Sequence, residues 1–299
     1  MKRVLVTGAG GFLGTHCLAA LVARGWSDVH AVSRSAGREP GVTWHTCNLF
    51  DADDLAALMR SVKPTHALHF AWCTTPGEYW TSPENLRWVA ASVTLLEEFA
   101  RSGGRRFVAA GTCAEYDWQH GFCSEQTTPL APGSPYGSAK HAFQILLSSF
   151  GPVLGVSTAW CRIFFPYGPY EHRERLVPYV IRSLLGGEPA LCTSGEHRRD
   201  FLYAGDVTDA FAALLESDLA GAVNIGSGEP VAVKSLVAAI GERIGRPELI
   251  RLGARPLPAS EPDLLVADVR RLRDELGWRP RTALTQGIEA SVEFWKRYG

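Results

Sequence analysis

The chain has 299 residues, 46% of them hydrophobic, and 30 basic against 31 acidic side chains give a formal net charge of -1. That is ample apolar material for one large or two closely joined cores, and it excludes the concentrated basic surface on which nucleic-acid binding depends. No apolar run approaches the roughly 20 residues that span a bilayer, and glycines break the N-terminal run too early for a targeting peptide, so a cytoplasmic protein with no membrane partner is expected.

The first element, Arg3 to Thr7, is a β-branched and apolar run that reads as a strand. It leads into Thr7-Gly8-Ala9-Gly10-Gly11-Phe12-Leu13-Gly14, and residues 14–23 then carry apolar side chains at helical spacing. Strand, tight turn and helix are the setting in which a glycine motif holds a dinucleotide. Gly8 supplies the turn, Gly11 lets the backbone approach a pyrophosphate, and Gly14 lets the helix pack closely on the strand. The N–H groups of the helix start, at Phe12 and Leu13, then face the phosphates. The bland alternative is a glycine turn with no ligand.

Further strands are predicted at 28–32, 42–46, 66–70, 106–110 and 155–162, alternating with helices at 12–24, 52–61, 84–102 and 136–150. Such alternation is the mark of a parallel sheet covered by helices on both faces. The second strand ends in Ala31-Val32-Ser33-Arg34-Ser35, with no Asp or Glu to bind both ribose hydroxyls. A carboxylate there would repel a 2′-phosphate, whereas Ser33 and Ser35 with Arg34 suit one. NADP(H) is therefore expected over NAD(H), the alternative being that Arg34 is a solvated loop residue.

Near the middle stands Tyr136-Gly137-Ser138-Ala139-Lys140, led in by the helix start Ser134-Pro135. Four residues apart, Tyr136 and Lys140 share one helix face. An ammonium beside a phenol is expected to lower the tyrosine pKa from about 10 and to make Tyr136 a usable proton donor or acceptor. A solvated helix face would show the same spacing. After about residue 166 the alternation loosens, with helices predicted at 206–216, 233–244, 268–276 and 284–297 and a strand at 222–225. The seven cysteines form no CxxC pair and the nine histidines show no ligand spacing, so neither a disulfide framework nor a metal site is expected.

On these motifs the chain resembles the extended short-chain dehydrogenase/reductase family, of the NAD-dependent epimerase/dehydratase type that includes nucleotide-sugar 4-ketoreductases. The resemblance runs over essentially the whole chain, through His69-Phe70-Ala71, Gly111 to Tyr116, Arg162 to Pro169, Arg199 to Val207, Asn224 to Gly228 and Leu276 to Pro280. It implies an α/β fold, a doubly wound parallel (Rossmann) sheet over residues 1–166 plus about 200–227. A second, smaller mixed α/β substrate lobe then covers 167–199 plus 228–299.

The resemblance also assigns roles. Thr112 would orient the reacting oxygen, Tyr136 exchange the proton, and Lys140 depress its pKa and hold the nicotinamide ribose. Asn48-Leu49 stands where the family contacts adenine with Asp-Leu, and Phe70, Ala71 and Phe164 would line the cofactor. Arg199 matches an arginine that grips a nucleotide diphosphate, with Arg175 nearby. Phe165 replaces an asparagine that many members aim at the sugar nucleotide. Cys73 and Thr74 lie in the aromatic and hydroxyl-rich segment Trp72 to Trp80, which suits a sugar ring or simply packs beneath the lobe; Glu115 and Trp118 are weaker candidates.

Cys113-Ala114 stands where dehydratases of the family carry Asp-Glu, which argues against 4,6-dehydration; Cys113 is either a packed thiol or an acid or base for epimerisation at C3 or C5. The expected activity is NADPH-dependent reduction of the 4-keto group of a nucleotide-linked 4-keto-6-deoxy sugar. The alternatives are a nucleotide-sugar epimerase with tightly bound NAD and, more remotely, a non-catalytic dinucleotide-binding regulator. Helices 84–102 and 136–150, with Leu86, Val89, Val93, Leu96, Phe143, Leu146 and Leu147, permit a homodimer, although burial against the chain's own sheet explains the same pattern.

Overall fold

Short apolar segments with few exposed residues make the main sheet, as parallel strands covered on both faces require. In the computed structural model, which describes residues 2–34, 37, 39–258 and 261–299, they are β1 (Val4–Thr7), β2 (Val29–Ser33), β3 (Val42–Thr46), β4 (His66–His69), β5 (Arg106–Thr112), β6 (Ser157–Ile163) and β7 (Gly221–Ile225). All neighbours pair in parallel, in the order β7-β6-β5-β4-β1-β2-β3.

Helices α1 (Phe12–Ala23) and α6 (Ala204–Glu216) cover one face, where Cys17, Leu18, Leu21, Phe211 and Leu214 are buried. On the other, α2 (Ala52–Val62), α3 (Glu84–Arg101) and α4 (Pro135–Val153) bury Leu55, Met59, Leu95, Phe99, Phe143 and Trp160. Strand order reverses beside β1, so the carboxyl ends of β1 and β4 border the crevice in which ligands of doubly wound sheets bind. Gly8 marks the spot: its φ is +68°, and a Cβ there would stand 2.7 Å from the backbone nitrogen of Ala71.

Over those ends lies a second layer. Strand segments Val231–Ala232, Arg198–Arg199, Leu264–Ala267 and Phe122–Cys123 form a four-stranded sheet in that order. Helices α5 (Leu176–Leu185), α7 (Val233–Ile244) and α8 (Leu284–Tyr298) share a core of Val180, Ile181, Leu184, Leu236, Val237, Ile240 and Val292.

Two elements differ from the sequence expectation. Helix α5 was hidden by Pro178, which reads as a breaker but falls in the first turn, where a missing N–H removes no helical bond. The helix predicted at 268–276 is instead one wide turn at Arg271–Glu275, because Leu264–Ala267 is drawn into the second sheet and Gly277 turns left-handed at φ +71°.

Among the described residues no helix is long and apolar enough to cross a membrane, and no group of three His, Cys, Asp or Glu side chains could hold a metal. Leu96, Phe143 and Leu147 are spent in the chain's own core, whereas Leu86 on α3 and Ile145, Phe150 and Val153 on α4 are exposed.

Candidate active site

The glycine turn is a cradle that side chains would fill. A Cβ on Gly14 would stand 2.1 Å from the carbonyl oxygen of Gly8, so the first turn of α1 approaches the strand end only because residue 14 is glycine. Gly11 caps α1 without a side-chain hydrogen bond, and no acidic residue occupies the first turn. The N–H groups at Phe12, Leu13 and Gly14 are those a helix start leaves without intrahelical partners, and with the helix dipole they favour an anion. These residues fit the diphosphate of a dinucleotide.

Around this cradle, the other residues expected to bind cofactor fall as follows. Ser33 ends β2 with its Oγ 2.7 Å from where a Gly10 Cβ would lie, and Arg34 beside it is exposed. Ser35 lies outside the described residues. Asn48 is exposed, its Oδ1 accepting the Phe50 N–H at 3.2 Å. Leu49 is buried among Val32 and Leu55. Phe70 packs on Phe211 at 4.7 Å, Ala71 donates its N–H to Thr7 Oγ1 at 3.4 Å, and Phe164 is buried.

Thr112 ends β5 with its hydroxyl accepting the Ala114 N–H at 3.2 Å, and Tyr136 lies close by on α4. Ser134 fixes the start of α4 by accepting the Gly137 N–H at 3.1 Å, and Tyr136 donates its own N–H to Trp80 O. Tyr79 and Trp80 close on the Tyr136 ring edge to face, at 4.8 and 5.6 Å. The expected pKa effect is not found at this phenol. Burial, the largest cause, and Tyr79 push Tyr136 up, against the nearby Thr112 hydroxyl. Lys140 does not offset this, because its ammonium is turned to Ala110 O at 2.8 Å and to the Trp72 ring at 3.8 Å. Burial in turn brings Lys140 down to about 7, with Glu115 opposing.

Behind this trio lies a network the sequence named only in part. Glu115 is fully buried and accepts from the Thr112 N–H at 2.8 Å, from Trp160 Nε1, and from Arg162 Nε at 2.8 Å. Arg162 also donates to the Tyr116 hydroxyl, which donates to Asn224 Oδ1 at 2.7 Å. With both oxygens engaged, Glu115 is a structural anchor for the threonine turn rather than an acid or base facing substrate. Trp118 similarly ties back, donating to Cys113 O.

The aromatic segment splits between the two readings. Trp72 is buried and donates to Asn85 Oδ1 at 2.8 Å, Tyr79 is buried, Cys73 and Trp80 are partly covered, and Thr74 is exposed. Tyr79 and Trp80 thus wall Tyr136, while Trp72 serves the interior. Cys113 is buried, and burial pushes its thiol up, so it is a packed cysteine rather than a reactive one.

On the lobe side, Arg199 is not an open clamp. It is 2% exposed, its Nη1 donates to Arg198 O at 2.7 Å, its Nη2 pairs with Glu261, and its face lies over the Phe165 ring. The guanidinium is filled from within the chain, a pairing with no local sequence signal because Glu261 is 62 residues away. Arg175, at the start of α5, reaches the Tyr79 hydroxyl at 3.5 Å.

Comparison with known proteins supplies the family context. The NAD dependent epimerase/dehydratase family matches residues 4–226. UDP-glucose 4-epimerase of Rhizobium meliloti is 28% identical over 322 residues, which cover 99% of this chain and 98% of that protein. Among solved structures, the UDP-glucose 4-epimerase of Thermus thermophilus in complex with NAD is 28% identical with a TM-score of 0.86, covering 99% of both chains. MoeE5 in complex with UDP-glucuronic acid and NAD is 30% identical with a TM-score of 0.88, covering 100% of both.

Proposed function

Since the chain belongs to the NAD dependent epimerase/dehydratase family, we propose that it is an enzyme that carries out oxidoreduction on a ring carbon of a nucleotide-linked sugar, with Tyr136 as the proton-transferring residue. The observation that carries this reading is the buried Tyr136 phenol standing near the Thr112 hydroxyl at the end of β5, on the strand-end side where the glycine cradle opens. Gly8, Gly11 and Gly14 would hold the diphosphate of a nicotinamide dinucleotide, which would supply or take up hydride there. Thr112 holds the reacting oxygen, and Tyr136 hands it a proton as the carbonyl becomes an alcohol. Lys140, one turn further along α4, would hold the nicotinamide ribose on releasing its bond to Ala110 O.

The direction we favour is reduction of a 4-keto-6-deoxy sugar with NADPH. Two features support it. No carboxylate follows β2 at Ser33 and Arg34 to repel a 2′-phosphate. A phenol pushed up by burial keeps its proton at neutral pH and so suits donation. Nicotinamide absorbance that falls when NADPH meets such a keto sugar, and a preference for NADPH that Arg34→Ala abolishes, are the expected results; constant absorbance would refute the assignment.

Epimerisation with tightly bound NAD is the second reading, supported by the full-length likeness to UDP-glucose 4-epimerases. It predicts interconversion of UDP-sugars without net absorbance change. A pure dinucleotide-binding regulator would have no chemical need of Thr112, Tyr136 and Lys140 together. A cytoplasmic homodimer through the exposed apolar residues of α3 and α4 is consistent with either enzyme.

A further inference from the structure

A groove of about 760 Å³ opens at the carboxyl end of β7, between the loop at 226–229 and the C-terminal segment at 278–284. None of the cradle glycines lines it, nor does Thr112, Tyr136, Lys140 or Arg199. Its volume is that of a site for a small organic molecule, and its walls are pinned from behind. The buried Asp200 carboxylate accepts the Ser227 N–H at 2.6 Å, the Gly228 N–H at 3.0 Å and the Ala267 N–H at 3.1 Å, which ties the loop to the second sheet. On the facing side Trp278 Nε1 donates to Asp209 Oδ2 at 2.8 Å and the Thr282 N–H to Asp206 Oδ2 at 2.9 Å, both on α6, while the Tyr167 hydroxyl donates to Leu284 O at 3.1 Å. A site held in this way needs little ordering when it is filled.

The same bonds turn polar groups of the walls inward. Ser227 Oγ donates to Asp200 at 2.6 Å, and Tyr167 and Trp278 spend their side-chain donors as described. What remains on the walls is chiefly apolar: Phe122 is 52% exposed, and Phe201, Tyr203, Val231 and Val269 are half-buried. Charge is confined to four arginines, Glu229 and Asp268. Asp268 is gripped by Arg270, whose Nε donates to its two oxygens at 3.0 and 2.9 Å, and Arg273 donates to Asp274 at 2.7 Å. Arg279 and Arg281 are exposed, and neither has a hydrogen bond or ion pair among the described residues. The uncommitted charge of the groove is thus two guanidinium groups against one carboxylate, Glu229. A guanidinium is weakly hydrated, matches a carboxylate or sulfonate with paired N–H donors and lies flat on rings.

We propose that this groove is a second binding site, separate from the catalytic crevice, for a small organic anion with a flat apolar body. The body lies against Phe122, Phe201 and Val269, and its carboxylate or sulfonate head pairs with Arg279 and Arg281. A nucleotide suits the groove poorly, because Ser227, Tyr167 and Trp278 have already spent the donors that a base or a ribose would need. The site stands whichever reaction the crevice performs.

The test is fluorescence titration of the protein with anilinonaphthalenesulfonate, an aromatic anion that brightens in apolar surroundings. The probe is expected to saturate a single site on each chain. Replacing both cations, Arg279→Gln with Arg281→Gln, should weaken it about tenfold, and Phe122→Ser, which removes an exposed part of the wall, by about threefold or more. Naphthalenesulfonate should compete for the site, inorganic sulfate should not, and saturating NAD⁺ or UDP-glucose should displace none of the probe. No saturable binding, unchanged affinity in both variants, displacement by NAD⁺ or UDP-glucose, or sulfate competing as well as naphthalenesulfonate each overturns the proposal. Arg279 and Arg281 make no bond within the fold, so the double variant should melt as the unaltered protein does; if it does not, Phe122→Ser and the competition series decide.

Discussion

Behind Tyr136, each charged group is answered by deeply buried partners: Glu115 by Thr112, Trp160 and Arg162, and Arg162 further by Tyr116. Across the cleft the lobe is built differently. Arg199 is answered by Glu261, which is partly exposed, and Glu171 keeps one oxygen without a hydrogen-bond partner among the described residues. The sheet side is held by mutually buried partners, whereas the lobe side carries an ion pair whose carboxylate is partly exposed. Chemistry needs groups held within a fraction of an ångström, whereas a binding wall must trade its own hydrogen bonds for those of a ligand.

The contrast breaks most visibly if the fixed side loses its cation. Arg162→Met leaves Glu115 charged and buried without its counter-ion, and a loss of about 3–5 kcal/mol is expected in denaturant unfolding; a loss under about 1 kcal/mol would show that the network is not the rigid element described. Tyr136→Phe should do the reverse. Turnover should drop about 10²–10⁴-fold while unfolding free energy changes by no more than about 1 kcal/mol, so that catalysis and stability separate at one atom.

Acid probes the same wall. His69, bonded to Thr7 and Ser92, is held down to about 3 by burial with Lys140 nearby, and His66 to about 4. The folded state keeps these rings neutral while the unfolded chain takes up protons below about 6.5. Stability is therefore full above that value and falls as the pH drops towards 4, by roughly 3 kcal/mol for His69 alone. Thermal melts across that range should show the decline, and His69→Gln should flatten part of it.

What could be read from the chain divides along the same line. Strand, glycine turn and helix are local patterns, so the main sheet and the cradle at Gly8 and Gly14 were legible, whereas Thr112 was reached only through the family resemblance. The direction of the phenol's pKa was not, because spacing on a helix brings Lys140 to the right face without saying that Ala110 and Trp72 claim its ammonium. The lobe was harder still. Its strands are two to four residues long, too short for a period to show, and Arg199 meets Glu261 across 62 positions. Glu171 carried no sequence signal, since a glutamate in a charged turn reads as solvated until burial is known.

The smallest effect expected is also the one that sharpens the comparison most. Glu261→Gln replaces a charge-assisted bond to Arg199 by a neutral one at a site where Glu261 is partly exposed, so a stability loss of only about 1–2 kcal/mol is expected. Its effect on ligand binding discriminates two designs of the lobe. If Arg199 is a structural arginine, locked over Phe165 and onto Arg198 O, affinity for UDP-glucose should change by less than about twofold, which corresponds to under about 0.5 kcal/mol. If instead Glu261 merely holds the place of a diphosphate, removing its charge removes a competitor and binding should tighten by about tenfold or more. The first outcome follows from the present geometry, in which two nitrogens and the face of the guanidinium are already committed; the second would return Arg199 to the role of an anion clamp and make the lobe more adaptable than its buried arginine suggests.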